Sequence, residues 1–174
     1  MKHCTQPMKV AGAKAKKMIG ALVMMGHKVT PVGSRCLDGG ARHDWATLGA
    51  PESDWDYVVC PFTPSDHKVI LWELKKNGFS DDGSKVDDSQ FTSVSFFDVD
   101  GQRINFIVAH DEKFYNEFVG AQEIVNSCKI THKASRVSVF EHVRGTKILT
   151  QEQLDLILSN KVEYATEGLT GYFL

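Results

Sequence analysis

"FTSVSFFDVDGQRINFIVAH" (91–110) decides how the rest of the chain is read. Two runs rich in β-branched and aromatic residues flank Asp100-Gly101, the most frequent chemistry of a two-residue turn, so the stretch is expected to form a β-hairpin. A hairpin brings at least two strands into one sheet, and the stretches around it supply the elements that such a sheet needs.

Upstream, "HKVTPVGS" (27–34) reads as a short strand leading into a glycine turn, and "DWDYVVC" (54–60) as a second strand. Between them, Cys36 to Ser53 carries three glycines and a proline and reads as a loop. "KVAGAKAKKMIGALVMMG" (9–26) has helical periodicity, with Val10, Ala13, Lys17 and Ala21 on one side, Met18, Leu22 and Met25 on another, and a stop at Gly26. "HKVILWELKKNGF" (67–79) suits a helix closed by Gly78, with Thr63-Pro64-Ser65 ahead of it. "FSDDGSKVDDSQ" (79–90) is polar and acidic and reads as an exposed loop.

Downstream, "DEKFYNEFVGAQEIVNSC" (111–128) is amphipathic, with Phe114, Phe118, Ala121 and Val125 on one stripe. "KASRVSVFEHVRG" (133–145) reads as a further helix. "TQEQLDLILSN" (150–160) opens on Thr150 with Gln153 three residues later, a capping-box pattern. The order predicts a single α+β domain with a mixed or antiparallel central sheet flanked by helices, those from about residue 111 onward packing on the sheet. Phe96, Phe97, Phe106, Phe114 and Phe118 are expected in the core.

Composition excludes several classes of function. With 174 residues, 42% of them hydrophobic, the chain can bury a core of its own. Its 20 Lys and Arg against 22 Asp and Glu leave no excess positive charge for non-specific nucleic-acid binding, so such contact must come from a local patch. Cys4, Cys36, Cys60 and Cys128 form no CxxC pair, the seven histidines form no HExxH, and no transmembrane run or signal peptide is evident. A reduced, soluble, intracellular protein without structural zinc is therefore expected. Cys36 and Cys60 have no base at recognisable spacing and make poor thiol nucleophiles.

The chemistry concentrates in residues 33–56. Residues i and i+2 of a strand share a face, so Asp54 and Asp56 place two carboxylates side by side, with Trp55 and Tyr57 on the other face. Adjacent carboxylates repel and call for a cation, and Mg²⁺, which prefers carboxylate oxygen and keeps water, meets that need. By itself a DxD triplet is better explained as a solvated acidic strand face, because such triplets are common. What favours a site is Gly33-Ser34-Arg35, a turn offering backbone N–H groups, a hydroxyl and a guanidinium to phosphate. A phosphate turn beside paired carboxylates is what nucleotidyl transfer requires.

"VGSR" followed by "SDWDYVV", with "RINFIV" as a later strand, resembles the GS and DxD signature of the nucleotidyltransferase fold of the DNA polymerase β type. From Gly33 to Gly145 the chain is also similar to small phage-encoded proteins of that superfamily. The resemblance implies a Mg²⁺- or Mn²⁺-dependent transfer of a nucleotidyl group from an NTP to an acceptor that could be RNA, a protein or a small molecule. It also implies a cytoplasmic location, in a host cytoplasm if the protein is phage-encoded, with no membrane association. Asp54 and Asp56 would be the catalytic and metal-binding acids, and Gly33, Ser34 and Arg35 would bind the nucleotide.

Two departures bear on that reading. The interval from Ser34 to Asp54 is longer than in typical members, and its "CLDGGARHDWATLGAPE" would sit at the mouth of the site, where His43 and Trp45 either stack on a base or pack within the loop. The position matching the third carboxylate is Asn105, whose amide oxygen can ligate a cation but brings no charge and accepts no proton as a carboxylate does. Asp98 or Asp100 could replace it. Otherwise the chain is a catalytically weakened nucleotide- or nucleic-acid-binding accessory protein, with a host protein as its partner. Lys129, Lys133 and Arg136, spaced by four and three, would share a helix face and reach a triphosphate or a nucleic-acid backbone, or simply face solvent.

Overall fold

The computed structural model describes residues 10–33, 54–81, 90–98, 101–128, 133–146 and 148–159. In chain order these form α1 (Val10–Met24), β1 (Lys28–Val32), β2 (Trp55–Cys60), a 3-10 turn (Pro64–Asp66) running into α2 (His67–Lys76), β3 (Ser80–Asp81), β4 (Phe91–Phe97), β5 (Arg103–Ala109), α3 (Glu112–Ser127), α4 (Lys133–Thr146) and α5 (Gln151–Ser159). The class is α+β, as the sequence predicts. The sheet has the order β1-β2-β5-β4-β3. It is mixed, because β2 runs parallel to β5 while the other neighbouring pairs are antiparallel.

Burial follows from that order. β2 and β5 are central and their residues are buried almost throughout, as expected of strands covered on both faces. On one face Trp55, Tyr57, Val59, Ile104, Phe106 and Val108 meet Met18 and Leu22 of α1 and Ile70 and Leu74 of α2. On the other, Val58, Cys60, Ile107 and Ala109 meet the α3 stripe Phe114, Phe118, Ala121 and Val125 together with Val139, Phe140 and Val143 of α4. The helices thus sandwich the sheet, α1 and α2 on one side, α3 and α4 on the other.

The element ends explain themselves locally. Gly26 and Gly78 follow α1 and α2 with positive φ, the left-handed conformation that closes a helix and that glycine adopts without a Cβ clash. Asp111 caps α3, its carboxylate accepting from the Phe114 amide at 2.8 Å. The capping box of α5 forms as expected, with Thr150 N donating to Gln153 Oε1 and Gln153 N to Thr150 Oγ1.

Four expectations need correction. The buried stripe of α1 is Ala11, Ala15, Met18 and Leu22, while Met25 is exposed. The small alanines at helical spacing face the sheet, and the helix ends before Met25 can join them. Ser80 and Asp81, expected in a loop, pair with β4 as an exposed edge strand of two residues, a length that limits pairing with other chains. The hairpin is not closed by a two-residue turn: Asp98 N donates to Gln102 O at 2.9 Å, so residues 99–101 lie between them, and Gly101 takes a positive φ. Finally Phe97, expected in the core, is 63% exposed. It is the last residue of β4, opposite Arg103, where the flanking helices do not cover it.

Candidate functional site

The register across the central strands builds a polar patch on the face that α3 and α4 cover. Val32 pairs with Asp56, and Asp56 pairs with Asn105, which in turn pairs with Ser95. Because β2 and β5 are parallel, Asp56 and Asn105 lie near the starts of their strands, at the same end of the sheet as the Gly33 turn that closes β1. Asp54, Arg103 and Ser93 fall on the same face by alternation. Further along these strands the same face turns apolar, with Val58, Ile107 and Ala109.

The polar side chains form a continuous hydrogen-bonded chain. Arg103 Nη1 donates to Asp54 Oδ2 at 3.2 Å in an ion pair, and Arg103 Nε donates to Ser95 Oγ at 3.0 Å. A guanidinium only donates, so the Ser95 hydroxyl accepts from it and passes its own proton to Asn105 Oδ1 at 3.3 Å. Ser93 Oγ donates to the same oxygen at 2.6 Å. That leaves Asn105 Nδ2 to face Asp56, where it donates to Oδ1 at 3.3 Å. Asp56 and Asn105 are each only 3% exposed, so these bonds act where water competes little. The Asp54 and Arg103 side chains keep 32% and 21% of their surface, so their attraction is screened and the outer part of the patch can be reached from solvent.

The residues singled out in the sequence fall in different places. Asp54, Asp56, Asn105 and Gly33 come together at this end of the sheet. Gly33 N donates to Gln122 Oε1 of α3 at 3.1 Å, so that amide is engaged by the protein itself. Ser34 and Arg35 lie outside the described residues, as do His43, Trp45, Asp100 and Lys129. Lys133 opens α4. Arg136, one turn on, is buried rather than part of a solvated row, and burial lowers its guanidinium below the ordinary value. Asp98 lies on the opposite face by alternation, and its carboxylate accepts from the Gln102 amide at 2.7 Å, so it serves the hairpin connection. Cys60 is buried and its thiol is pushed up, first by desolvation, which leaves it a poor nucleophile.

Arg103, Ser93, Ser95 and Gln122 are members that the sequence reading missed. Once the hairpin is granted, alternation places 103 with 105 and 93 with 95, so three of the four were within reach. Gln122 was not, because its partner Gly33 lies 89 positions away.

Among the described residues no group of three or more His, Cys, Asp or Glu side chains is placed to hold a metal. Asp54 and Asp56 form a pair, and a pair fits Mg²⁺, which commonly rests on one or two carboxylates and draws its other ligands from water and phosphate. Asn105 fits less directly. A cation beside Asp56 would meet its Nδ2, and turning the amide over would break both serine bonds.

A second polar cluster lies at the other end of the sheet, on the α2 face. Thr92 Oγ1 is 3.1 Å from His67 Nε2 and 2.9 Å from His110 Nε2, and the two imidazole rings lie 4.1 Å apart, edge to face. One hydroxyl proton cannot serve both rings, so at least one imidazole donates its Nε2 proton to Thr92 Oγ1. Burial, then the neighbouring His110 and Lys68, hold His67 below its ordinary pKa.

The class defined so far is an α+β protein with a mixed five-stranded sheet and paired carboxylates at one end. No family model, no curated protein and no solved structure matches the chain. No described helix is long and apolar enough to cross a membrane.

Proposed function

We propose that this chain is a Mg²⁺-dependent nucleotidyltransferase-like protein that takes a nucleotidyl group from an NTP. The observation that carries the reading is the register Val32, Asp56, Asn105 across three neighbouring strands, which sets the Gly33 turn, both aspartates and the third-strand position at one end of the sheet. Asp54 and Asp56 would hold the cation, Mg²⁺ or Mn²⁺, which supplies charge neutralisation on the triphosphate. Ser34 and Arg35, which follow the Gly33 turn, would receive the β and γ phosphates, with Lys133 as a further cationic group; the Gly33 amide is held by Gln122 and Arg136 is buried, so neither is assigned a phosphate. A hydroxyl of the acceptor, whether RNA, protein or small molecule, forms a bond to the α phosphorus and releases its proton to solvent, as the bond from the α phosphorus to the bridging β-phosphate oxygen breaks and pyrophosphate leaves. Isothermal calorimetry tests the binding half: Asp54→Ala and Asp56→Ala are each expected to abolish Mg²⁺-dependent NTP binding. Undiminished binding in both variants would remove the reading.

A second reading is favoured by one specific observation. Asp54 already has a guanidinium partner, and Asp56 has an amide donor where a third carboxylate would stand. A protein with these partners in place binds nucleotide or nucleic acid with little or no chemistry and acts through a partner such as a host protein. Incubation with radiolabelled NTPs, Mg²⁺ or Mn²⁺ and mixed acceptors separates the two, since labelled product or pyrophosphate release excludes a pure binder.

A further inference from the structure

Phe97 is the one aromatic of the β4–β5 hairpin that the core does not claim: Phe91 and Phe106 are buried and Phe96 is partly buried, while Phe97 is 63% exposed. Its position is specific. It pairs across the hairpin with Arg103, shares a face with Ser93 and Ser95, and has the Arg103 guanidinium carbon 5.9 Å from its ring centroid. Arg103 reaches the other way to Asp54 at 3.2 Å. A single side chain therefore links the carboxylate pair to an exposed aromatic face. Across the strand ends the order is the Gly33 turn on β1, the carboxylates on β2, Arg103 on β5 and Phe97 on β4. With neighbouring strands ~4.8 Å apart, that row spans roughly 14 Å.

We propose that Phe97 is a stacking platform for a nucleobase, and that Arg103 beside it is the cation that holds the connecting part of the same nucleotide. The proposal rests on the nucleotide reading above and adds the place of the base. On that reading the row is ordered as a nucleoside triphosphate is, with the proposed phosphate turn after Gly33 at one end and an apolar π face at the other. A planar base gains on such a ring whatever its identity, so the platform selects for the presence of a base rather than for one base. Arg103 suits the middle position because a guanidinium can pair with phosphate oxygens and lie against an aromatic face.

The test compares two probes that differ by the nucleoside. Phe97→Ala alters an exposed side chain, so the fold should survive, and a melting curve checks that. With Mg²⁺ present, Phe97→Ala is expected to weaken ATP binding by roughly tenfold or more. Inorganic tripolyphosphate, which has no base, should bind as before, and Phe97→Trp should restore ATP affinity. Unchanged ATP affinity in Phe97→Ala, or equal losses for ATP and tripolyphosphate, overturns the platform. If the wild-type protein binds ATP no better than tripolyphosphate, the platform fails while the phosphate site stands. If it binds neither, the nucleotide reading itself fails and the platform with it.

Discussion

Asn105 presents its amide nitrogen to Asp56, Nδ2 to Oδ1 at 3.3 Å, while its oxygen accepts from Ser93 and Ser95. The orientation has a cause outside the pair. The Arg103 guanidinium takes one lone pair of Ser95 Oγ, and with both serine hydroxyls donating to the amide oxygen the nitrogen is left to the Asp56 carboxylate, which only accepts. A neutral residue at this position removes one negative charge from a buried cluster and adds a donor to it.

Asn105→Asp should therefore trade stability for metal affinity. Without divalent ions, two buried carboxylates would face each other and the donor to Asp56 would be lost, a cost of about 1–3 kcal/mol. Mg²⁺ should return much of that loss in the variant and little in the wild type. Thermal melts with Mg²⁺ and with EDTA check this, and a variant that melts identically in both would show that no cation reaches the pair. In the radiolabel assay, new or increased transfer by Asn105→Asp would locate a catalytic deficit at this residue.

Arg103→Met removes the counter-ion of Asp54 and keeps much of the side-chain stem. The pair is part exposed, so stability should fall by no more than about 1 kcal/mol. Without nucleotide, Mg²⁺ affinity measured by calorimetry should rise several-fold, because the cation no longer competes with a tethered guanidinium for Asp54. Lower Mg²⁺ affinity in the variant would count against competition at that carboxylate.

Phe106→Ala tests the α1/α2 side of the core. Its ring is fully buried, with its centroid 5.2 Å from that of Tyr57 and 5.3 Å from that of Phe79. Strands on both sides limit how far the cavity can collapse, so a loss of about 3–5 kcal/mol in chemical denaturation is expected.

Acid should destabilise the fold in part through His67. Its folded pKa lies below its ordinary value of 6.5, chiefly by desolvation and then by His110 and Lys68. As pH falls below 6.5, the unfolded chain takes up a proton that the folded chain does not, so this contribution is full above that value and is lost on the way down to the folded pKa. His27 shifts the same way, by burial, partly offset by Asp66. Replacing His67 with Gln should narrow the difference in melting temperature between about pH 7.5 and pH 5.5 without removing it. An unchanged difference would assign the acid sensitivity to other groups.

Much of the fold was legible because its signals are local. Gly26 and Gly78 stop their helices, Thr150 and Gln153 box the start of α5, and Phe114, Phe118, Ala121 and Val125 recur at helical spacing and are buried together. The misreadings were of context. Phe97 has the residue type of a core position but sits at a strand end that no described helix covers, and Arg136 has the residue type of a solvated face but is buried. Hydrophobicity and charge describe a side chain, and burial depends on what the chain brings against it.

The same division runs through the candidate site. That Asp54 and Asp56 share a face follows from the period of a strand, and that β1 ends at a turn follows from Gly33-Ser34 after a β-branched run, an expectation that Gly33 meets with a φ of 81°. Which residues those carboxylates meet was decided by the tertiary structure alone. The parallel pairing of β2 with β5 sets Asp56 against Asn105, and the ion pair joins Asp54 to Arg103, each across 49 positions of sequence. No local propensity encodes a register over that distance. It is set by the apolar residues of both strands, which must all face α1 and α2 or α3 and α4 at once, and a slip of one residue would turn every one of them to the wrong side.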